Sequence, residues 1–201
     1  VEIATAVAQK LGLELVIEDV EFDSIIAGVQ SGKYDIGCAG MTVTEDRLKS
    51  VNFSTPYATG IQSIIVAADS EITDIDTLVN GDYKVGVQSG TTGDIYSTDD
   101  FGADNVVAYS TANEAVMALK SGTVDCVIID NQPAKALVAE NAGLTILETA
   151  YADEDYAICV AKENTALLEQ INKALAELTE DGTIAKIFAK YEAPYTAPNA
   201  G

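Results

Sequence analysis

The segment 39–47 combines residue types that suit the binding of an anion. Gly40 follows a short apolar run ending at Ala39, and a glycine there lets backbone N–H groups approach a ligand closely. Thr42 and Glu45 have the spacing of a capping box, which predicts a helical turn with unpaired N–H donors at its start. Arg47 adds a planar guanidinium group that can hold a carboxylate through two parallel hydrogen bonds. The segment therefore predicts a carboxylate site.

A structural role is the alternative for Arg47. A single arginine after a strand usually lies at the surface in a weak ion pair. The hypothesis of a site depends on the convergence of a glycine, threonine hydroxyls and this arginine within a few residues.

Two further strand ends carry polar residues. The run 89–93, Ser-Gly-Thr-Thr-Gly, interrupts an apolar strand and precedes a helical pattern, and Asp130 follows the apolar run 124–129. Because ligands of open α/β sheets bind beyond the carboxyl ends of the strands, these residues are expected to face a ligand. An arginine together with a carboxylate suits a zwitterion. Helix capping is the alternative role for Thr91 and Asp130.

The composition excludes several classes of function. The net charge is −21, from 32 acidic and 11 basic residues, and such a field repels nucleic acids and anionic membranes. The sequence contains no histidine, which removes histidine-based triads and most zinc sites. No acidic cluster has the spacing of an EF-hand loop. We therefore expect no metal, no cofactor and no nucleic acid partner.

The three cysteines, Cys38, Cys126 and Cys159, each lie within an apolar, strand-like run. A free cysteine packs as a small hydrophobic residue, so three buried thiols are the favoured interpretation. The odd count and the wide spacing argue against a disulfide framework. One bridged pair stays open as an alternative.

Apolar periodicity predicts alternating helices and strands. Residues 1–11 show one apolar helical face, with Gly12 as C-cap, and residues 13–17 alternate as a strand. Further helices are predicted near 25–30, 74–78, 94–97, 111–120, 133–141, 165–178 and 182–190, and further strands at 34–39, 61–67, 84–88, 106–109, 124–129, 144–147 and 157–160. This alternation predicts an α/β protein with mostly parallel sheets.

The sequence contains an internal repeat. The residues around Ser31 and Gly32 match those around Ser121 and Gly122, 90 positions later. Each copy has the pattern of a helix, a Ser-Gly turn and a strand that starts near an aspartate. Two copies favour paired lobes rather than a solenoid.

Three motifs carry a resemblance to a known family: SGKYDIGCAGMTVTEDRLKSVNFSTPY at 31–57, VGVQSGTTGD at 85–94 and SGTVDCVIIDNQPAKALV at 121–138. In this order they resemble the polar amino-acid solute-binding proteins of ABC importers, over essentially the whole chain. The resemblance implies the type II periplasmic-binding fold, an α/β clamshell of two lobes joined by two hinge strands. Lobe 1 would comprise 1–66 and 157–201, and lobe 2 would comprise 67–156.

The resemblance also implies the roles of the site residues. Arg47 would hold the α-carboxylate of an amino acid, helped by Thr42 and by the backbone at Ala39 and Gly40. Asp130 would accept hydrogen bonds from the α-ammonium group. The second lobe would complete the carboxylate pocket with three consecutive residues: Gly90, Thr91 and Thr92.

One part of the family pattern is missing. In the family, a first strand, a loop with an aromatic residue and a Gly-aromatic-Asp lead-in precede the position of Val1. That strand lies inside the sheet of the first lobe, where its loss would leave backbone groups unpaired. We expect the strand to lie outside the present sequence or to come from a second chain.

The function implied is capture of a polar amino acid between the lobes and its delivery to the membrane permease of an ABC transporter. No catalytic residue is expected. The alternatives are the ligand-binding domain of a sensor or receptor, and a dehydratase-type enzyme of the same fold in which a carboxylate would act as the acid. The location would be periplasmic or extracellular, with or without a lipid anchor. The identity of the amino acid is left open.

Overall fold

The helices follow the apolar periodicity of the sequence. The computed structural model describes residues 1–147 and 150–192. In the first helix Ile3, Ala4 and Val7 are buried, and Gly12 ends the helix in the left-handed conformation. The helices are α1 (Glu2–Leu11), α2 (Ile25–Gln30), α3 (Glu45–Ser50), α4 (Ile75–Asn80), α5 (Thr92–Phe101), α6 (Ala112–Lys120), α7 (Asn131–Glu140), α8 (Thr165–Glu180) and α9 (Thr183–Glu192). Short 3₁₀ helices lie at Phe22–Ser24 and Ala103–Asn105.

The strands alternate with these helices along the chain. They are β1 (Ile36–Thr42), β2 (Val51–Phe53), β3 (Ala58–Ala67), β4 (Val85–Gln88), β5 (Val106–Tyr109), β6 (Cys126–Asp130), β7 (Leu144–Ile146) and β8 (Ala152–Ala161). β4 pairs in parallel with β5 and β6. β3 pairs antiparallel with β6, β7 and β8, and β2 pairs antiparallel with β8. β1 is also a neighbour of β8.

The chain divides into two compact units. Unit 1 comprises 1–19, 28–57 and the chain from 157 onward, and unit 2 comprises 20–27 and 58–156. β3 begins where the chain enters unit 2, and β8 carries it back into unit 1. The expected lobe boundaries at 66 and 156 stay a prediction.

The two-lobed α/β architecture is confirmed, but the expectation of mostly parallel sheets is wrong outside β4, β5 and β6. β3 leads into unit 2 and β8 leads out of it, so these two long strands run in opposite directions and pair antiparallel. β3 is also antiparallel to β6. The sheet is therefore mixed, with parallel pairing where helices connect successive strands.

In unit 1, helices α1, α8 and α9 pack on β8 around one apolar core. Its buried members are Ile3, Val7, Ile158, Val160, Ile171, Ala174, Leu175, Leu178 and Ile184. In unit 2, successive strand residues point to opposite faces, so Ile64 and Ile65 belong to different apolar clusters. One cluster lies under α6 and α7, and the other contains Leu78 of α4. The sheet of unit 2 is therefore covered on both faces, as expected for parallel strands.

The strand predicted at 13–17 is wrong. These residues form no regular element, and Leu13, Val16 and Ile17 are 55%, 72% and 57% exposed. A strand needs a neighbour to satisfy its backbone groups. Among the strands of the described ranges, none pairs with 13–17. The alternating pattern alone therefore did not produce a strand.

Both copies of the internal repeat form the same helix end. Gly32 and Gly122 have φ angles of 72° and 73°, in the left-handed region. In the first copy the hydroxyl of Ser31 and the N–H group of Lys33 both donate to the carbonyl of Gly28, at 3.1 and 2.9 Å. The same two hydrogen bonds, both of 2.9 Å, recur in the second copy between Ser121, Thr123 and Ala118. The two copies of the sequence repeat therefore share the same backbone conformation and the same hydrogen bonds at the helix end.

All three cysteines are free thiols. Cys126 and Cys159 are fully buried, whereas Cys38 is only half-buried. The Sγ atom of Cys159 lies 3.7 Å from the Sδ atom of Met41. The expectation of buried thiols is therefore confirmed for Cys126 and Cys159 but not for Cys38.

Candidate functional site

The only arginine of the sequence is buried in unit 1, directly after β1. Arg47 lies in α3, and 7% of its surface is exposed. Its Nη1 atom donates to the carbonyl oxygen of Thr42, the last residue of β1, at 2.7 Å. Burial of a guanidinium group costs free energy unless acceptors surround it. A buried charge at the carboxyl end of a strand is therefore a candidate for ligand binding.

The capping box predicted from Thr42 and Glu45 is wrong. β1 continues through Thr42, and Thr44 is the N-cap of α3, where its Oγ1 atom accepts from the N–H group of Arg47 at 3.2 Å. The N-cap residue directly precedes the first helical residue, a condition that Thr44 meets and Thr42 does not. The buried hydroxyl of Thr42 is consequently not used as the cap.

Gly40 lies within β1, so the predicted end of the strand at Ala39 is also wrong. Its φ angle is 63°, and a Cβ atom there would meet nothing within 4 Å. The backbone conformation alone therefore favours glycine at this position. Ala39 and Gly40 are both exposed, whereas Thr42 is buried.

In unit 2 the loop between β4 and α5 has a fixed shape. Thr91 is the N-cap of α5: its Oγ1 atom accepts from the N–H group of Asp94 at 3.2 Å and donates to the carbonyl of Gln88 at 2.8 Å. Gly90 has a φ angle of 74°, and its N–H group donates to Asp94 Oδ2 at 3.0 Å. A Cβ atom on Gly90 would lie 2.9 Å from the Cβ atom of Asp23. The loop requires glycine for both conformation and space.

Thr92 is the first residue of α5 and is 3% exposed. The N–H groups of the first helical turn have no partner within the helix and carry a partial positive charge. Gly93 follows, and a Cβ atom there would lie 3.2 Å from the carbonyl oxygen of Ile128 on β6. The start of α5 therefore lies close to the end of β6.

Asp130 ends β6 and is the N-cap of α7. Its Oδ1 atom accepts from the N–H group of Gln132 at 2.9 Å. Burial raises the pKa of Asp130 from 3.8 to about 6, with a further upward contribution from the negative charge of Glu154. The hydrogen bond from Gln132 and the charge of Lys135 act in the opposite direction on this pKa. At neutral pH the carboxyl group is mostly ionised and able to accept hydrogen bonds from a cation.

The predicted residues thus fall into two groups, one in each unit. Unit 1 holds Ala39, Gly40, Thr42 and Arg47 at the end of β1 and in α3. Unit 2 holds Gly90, Thr91 and Thr92 at the start of α5, and Asp130 at the end of β6. Their roles in binding stay a prediction. Capping, the alternative role considered for Thr91 and Asp130, is present in both cases.

Unit 2 also contains a buried polar pair that no sequence motif predicts, the Gln62–Glu154 pair. Both residues are at most 5% exposed, and Gln62 Nε2 donates to Glu154 Oε2 at 2.8 Å. Tyr156, two residues further along β8, lies over Gly60. The signal available in the sequence was the polar residue Gln62 within the apolar run 61–67. Its partner is 92 positions away, so no local pattern connects the two.

Two negative findings apply to residues 1–147 and 150–192. No group of three or more acidic or cysteine side chains is placed there to hold a metal ion. None of the helices in these ranges combines the length and the apolar character that a membrane crossing requires.

Known proteins resemble this chain along almost its whole length. The family model of the bacterial extracellular solute-binding proteins, family 3, matches residues 1–194. The ABC transporter arginine-binding protein 1 of Escherichia coli (strain K12) is 31% identical over 192 residues, which cover 93% of this chain and 78% of that protein.

Solved structures share the fold. An ancestral arginine-binding protein bound to arginine superimposes with a TM-score of 0.86 and 42% identity, over 96% of this chain and 86% of that one. An ancestral arginine-binding protein bound to glutamine gives a TM-score of 0.88 and 41% identity, over 95% of this chain and 85% of that one. The type II periplasmic-binding fold expected from the three sequence motifs is confirmed.

Proposed function

The chain belongs to the bacterial extracellular solute-binding proteins of family 3, and on that premise we propose that it is the amino-acid-binding subunit of an ABC transporter. The observation that carries the proposal is the burial of Arg47 in α3, with its guanidinium group hydrogen-bonded to the last residue of β1. A free amino acid offers a carboxylate, which a guanidinium group can bind through two parallel hydrogen bonds. The same amino acid offers an ammonium group, for which unit 2 holds the carboxyl group of Asp130.

We assign the α-carboxylate of the amino acid to Arg47 and to the start of α5. Arg47 provides the charge and two parallel donors, and the hydroxyl groups of Thr42 and Thr92 each provide one uncharged donor. Ala39 and Gly40 are exposed residues, and we assign their backbone groups to the same carboxylate. Hydrogen bonds to charged groups contribute about 1.5–3 kcal/mol each, and Arg47 offers two of them together with a positive charge, whereas each threonine offers one. Loss of Arg47 is therefore expected to weaken binding more than loss of either threonine.

We assign the α-ammonium group to Asp130. The carboxyl group is already oriented by its hydrogen bond to the N–H group of Gln132, so little freedom is lost on binding. The loop at Gly90 and Thr91 serves the site through its shape, because the hydroxyl of Thr91 is engaged in capping α5.

The partner of the loaded protein is the permease of an ABC transporter, as the names of the relatives support. Such a protein works outside the cytoplasm, in a periplasm or at the outer surface of the cell. Its role is capture and delivery, with no chemical conversion of the amino acid, in keeping with a family of solute-binding proteins.

A thermal-unfolding screen against the twenty common amino acids tests this function. An amino acid present at about 100 times its dissociation constant stabilises the folded protein by about 2.7 kcal/mol, which gives a clear rise in Tm. We expect one or a few polar amino acids to produce this rise. The α-amide and the N-acetyl derivative of the best amino acid are the matched controls, because each lacks one of the two backbone charges.

Both derivatives are expected to produce no rise in Tm at the concentration that suffices for the parent amino acid. Arg47→Lys keeps the charge but loses the planar pair of donors, so we expect at least a tenfold weaker affinity by calorimetry. The proposal fails if no amino acid raises the Tm, or if the derivatives bind as well as the parent.

A further inference from the structure

Three adjacent strands of unit 2 carry polar side chains on one face of the sheet. β3 pairs with β8 so that Gly60 lies opposite Glu154, and with β6 so that Gln62 lies opposite Asp130. Residues two apart in a strand share a face, as do residues directly opposite each other. Glu154, Gln62 and Asp130 therefore follow one another across the same face, from β8 through β3 to β6.

Burial of the Gln62–Glu154 pair costs folding free energy, because two of its oxygen atoms lack partners in the described part of the chain. Gln62 Oε1 and Glu154 Oε1 are buried without a hydrogen-bond partner among the described residues. The described ion pairs involve Lys10, Lys49 and Lys190, and none of them reaches Glu154. A buried carboxyl group with one amide as its partner lowers stability relative to an apolar pair of the same volume. Such a pair is expected where function requires it.

The surroundings hold the pair in one orientation. The phenol ring of Tyr156 lies against Gly60, the residue opposite Glu154, and Tyr156 is 8% exposed. On the other side, a Cβ atom on Gly93 would lie 2.9 Å from Gln62 Oε1, so only a glycine lets α5 approach the amide this closely. The hydrogen bond to Glu154 fixes which end of the Gln62 amide faces α5. The amide therefore touches the first turn of α5.

We propose that Gln62 and Glu154 are positioning residues for amino-acid binding, which hold the end of β6 with Asp130 and the first turn of α5 with Thr92 in the geometry that receives the ligand. The inference rests on the proposed function for the roles of Asp130 and Thr92. Gln62 contacts both elements, since it lies opposite Asp130 in the sheet and its amide meets Gly93. Glu154 acts through Gln62, by fixing the orientation of the amide.

The charge of Glu154 has a second effect, on the titration of Asp130. The charged side chains that act on the Asp130 carboxyl group are Glu154, which raises its pKa, and Lys135 of α7, which lowers it. The N–H group of Gln132 also lowers this pKa. Removal of the Glu154 charge alone is therefore expected to lower the pKa of Asp130, so that its carboxylate persists to lower pH.

Glu154→Gln separates geometry from charge, because the new amide can still accept from Gln62 while the charge is gone. The measurement is the titration of the Asp130 side-chain carboxyl carbon by NMR in the ligand-free protein, assigned with Asp130→Asn. We expect the midpoint to fall below the wild-type value of about 6. Asp155→Asn is the matched control, since Asp155 neighbours Glu154 in β8 but is exposed on the opposite face. It is expected to leave the midpoint unchanged.

Gln62→Leu removes the amide and is measured at pH 8, well above the pKa of Asp130 in the wild type. We expect the affinity for L-arginine or L-glutamine, whichever binds the wild type, to fall roughly fivefold to tenfold, because a displaced Asp130 or Thr92 bonds to the ligand less well. Asp155→Asn is expected to bind as tightly as the wild type at this pH, since its exposed side chain lies on the opposite face of β8.

Two results would overturn the proposal: an unchanged Asp130 midpoint in Glu154→Gln, or wild-type affinity in Gln62→Leu at pH 8. Thermal unfolding of each variant checks that it is folded. If no amino acid binds the wild type, the proposed function fails, but the ligand-free titration still decides the coupling between Glu154 and Asp130.

Discussion

At the scale of single residues, the protonated form of Asp130 favours stability and its ionised form favours binding. Its pKa is raised to about 6, so the folded protein holds this proton more tightly than the unfolded chain, whose group titrates near 3.8. The resulting stabilisation is fully present below about pH 4 and is lost as the pH rises through about 6. Ligand binding requires the ionised form, which predominates only above that pH. Asp130 thus lowers stability under the conditions in which it can bind.

The affinity for an amino acid is therefore expected to fall as the pH is lowered through about 6, while the contribution of Asp130 to stability rises. Calorimetry between pH 5 and 8 measures the first effect, and urea unfolding of the ligand-free protein measures the second. Asp130→Asn is the control, because asparagine also caps a helix but does not titrate. We expect it to bind weakly at every pH and to be more stable than the wild type at pH 7. A binding profile parallel to the wild type would contradict the assignment.

Gly60 is a second residue whose identity follows from its surroundings. A Cβ atom at this position would lie only 1.7 Å from the hydroxyl oxygen of the buried Tyr156. We expect Gly60→Ala to reduce the free energy of unfolding by about 1–3 kcal/mol, the usual cost of overpacking. Urea denaturation measures this cost.

The same substitution in a Tyr156→Ala background provides the control for Gly60. With the ring absent, the three atoms nearest to the added methyl group are gone, so its cost is expected to be clearly smaller. An equal cost in both backgrounds would show that the ring is not the cause.

At the scale of elements, the two Ser-Gly turns have the same backbone geometry, so the same substitution is expected to have the same effect on stability in both. Gly32→Ala and Gly122→Ala each place a methyl group in the left-handed region with nothing else within 4 Å, so only the backbone strain acts. We expect each to lower the free energy of unfolding by about 1 kcal/mol. Gly32→Asn and Gly122→Asn are the controls and should recover part of the loss, because asparagine tolerates this conformation. Different costs in the two units would contradict the structural equivalence of the turns.

Most elements could be predicted from the sequence because their signals are local. The cap Thr111 and the apolar spacing after it identify α6, and the apolar run before Asp130 identifies β6. The segment 13–17 is the exception. Its alternation is typical of a strand, but a strand also needs a neighbour, which no local pattern reveals.

In the candidate site, too, local motifs reveal some residues, and tertiary pairing is needed to reveal the others. Arg47, Thr92 and Asp130 could be proposed as site residues because each lies at or shortly after the end of a strand within a short motif. The cap at Thr44 instead of Thr42 could not, since the length of β1 decides it. The Gln62–Glu154 pair joins residues 92 positions apart and becomes visible only when β3 and β8 are brought together.

At the scale of the whole molecule, the net charge of −21 is expected to make stability depend on salt. The described ion pairs join exposed side chains, such as Lys49 and Lys190 at 75% and 64% exposure, and contribute little. Repulsion among the 32 acidic residues is therefore the larger effect. We expect Tm to rise when NaCl is increased from 10 to 150 mM, since the screening length falls from about 30 to about 8 Å.

Sucrose at the same osmolality is the control for the salt series, because it leaves the screening length unchanged. We expect it to produce a smaller rise in Tm than NaCl. A Tm that falls with salt would mean that attractive pairs outweigh the repulsion.

The free thiols have a practical consequence for following the protein by fluorescence. Burial raises the pKa of Cys126 to about 12 and that of Cys159 to about 11, and it also raises the pKa of the half-buried Cys38. The thiolate is the species that attacks a maleimide, so all three native cysteines are expected to react slowly at neutral pH. A cysteine introduced at the exposed position of Asp155 can then carry a single dye without prior removal of the native thiols. The native thiols of this sequence are thus compatible with labelling at one chosen position.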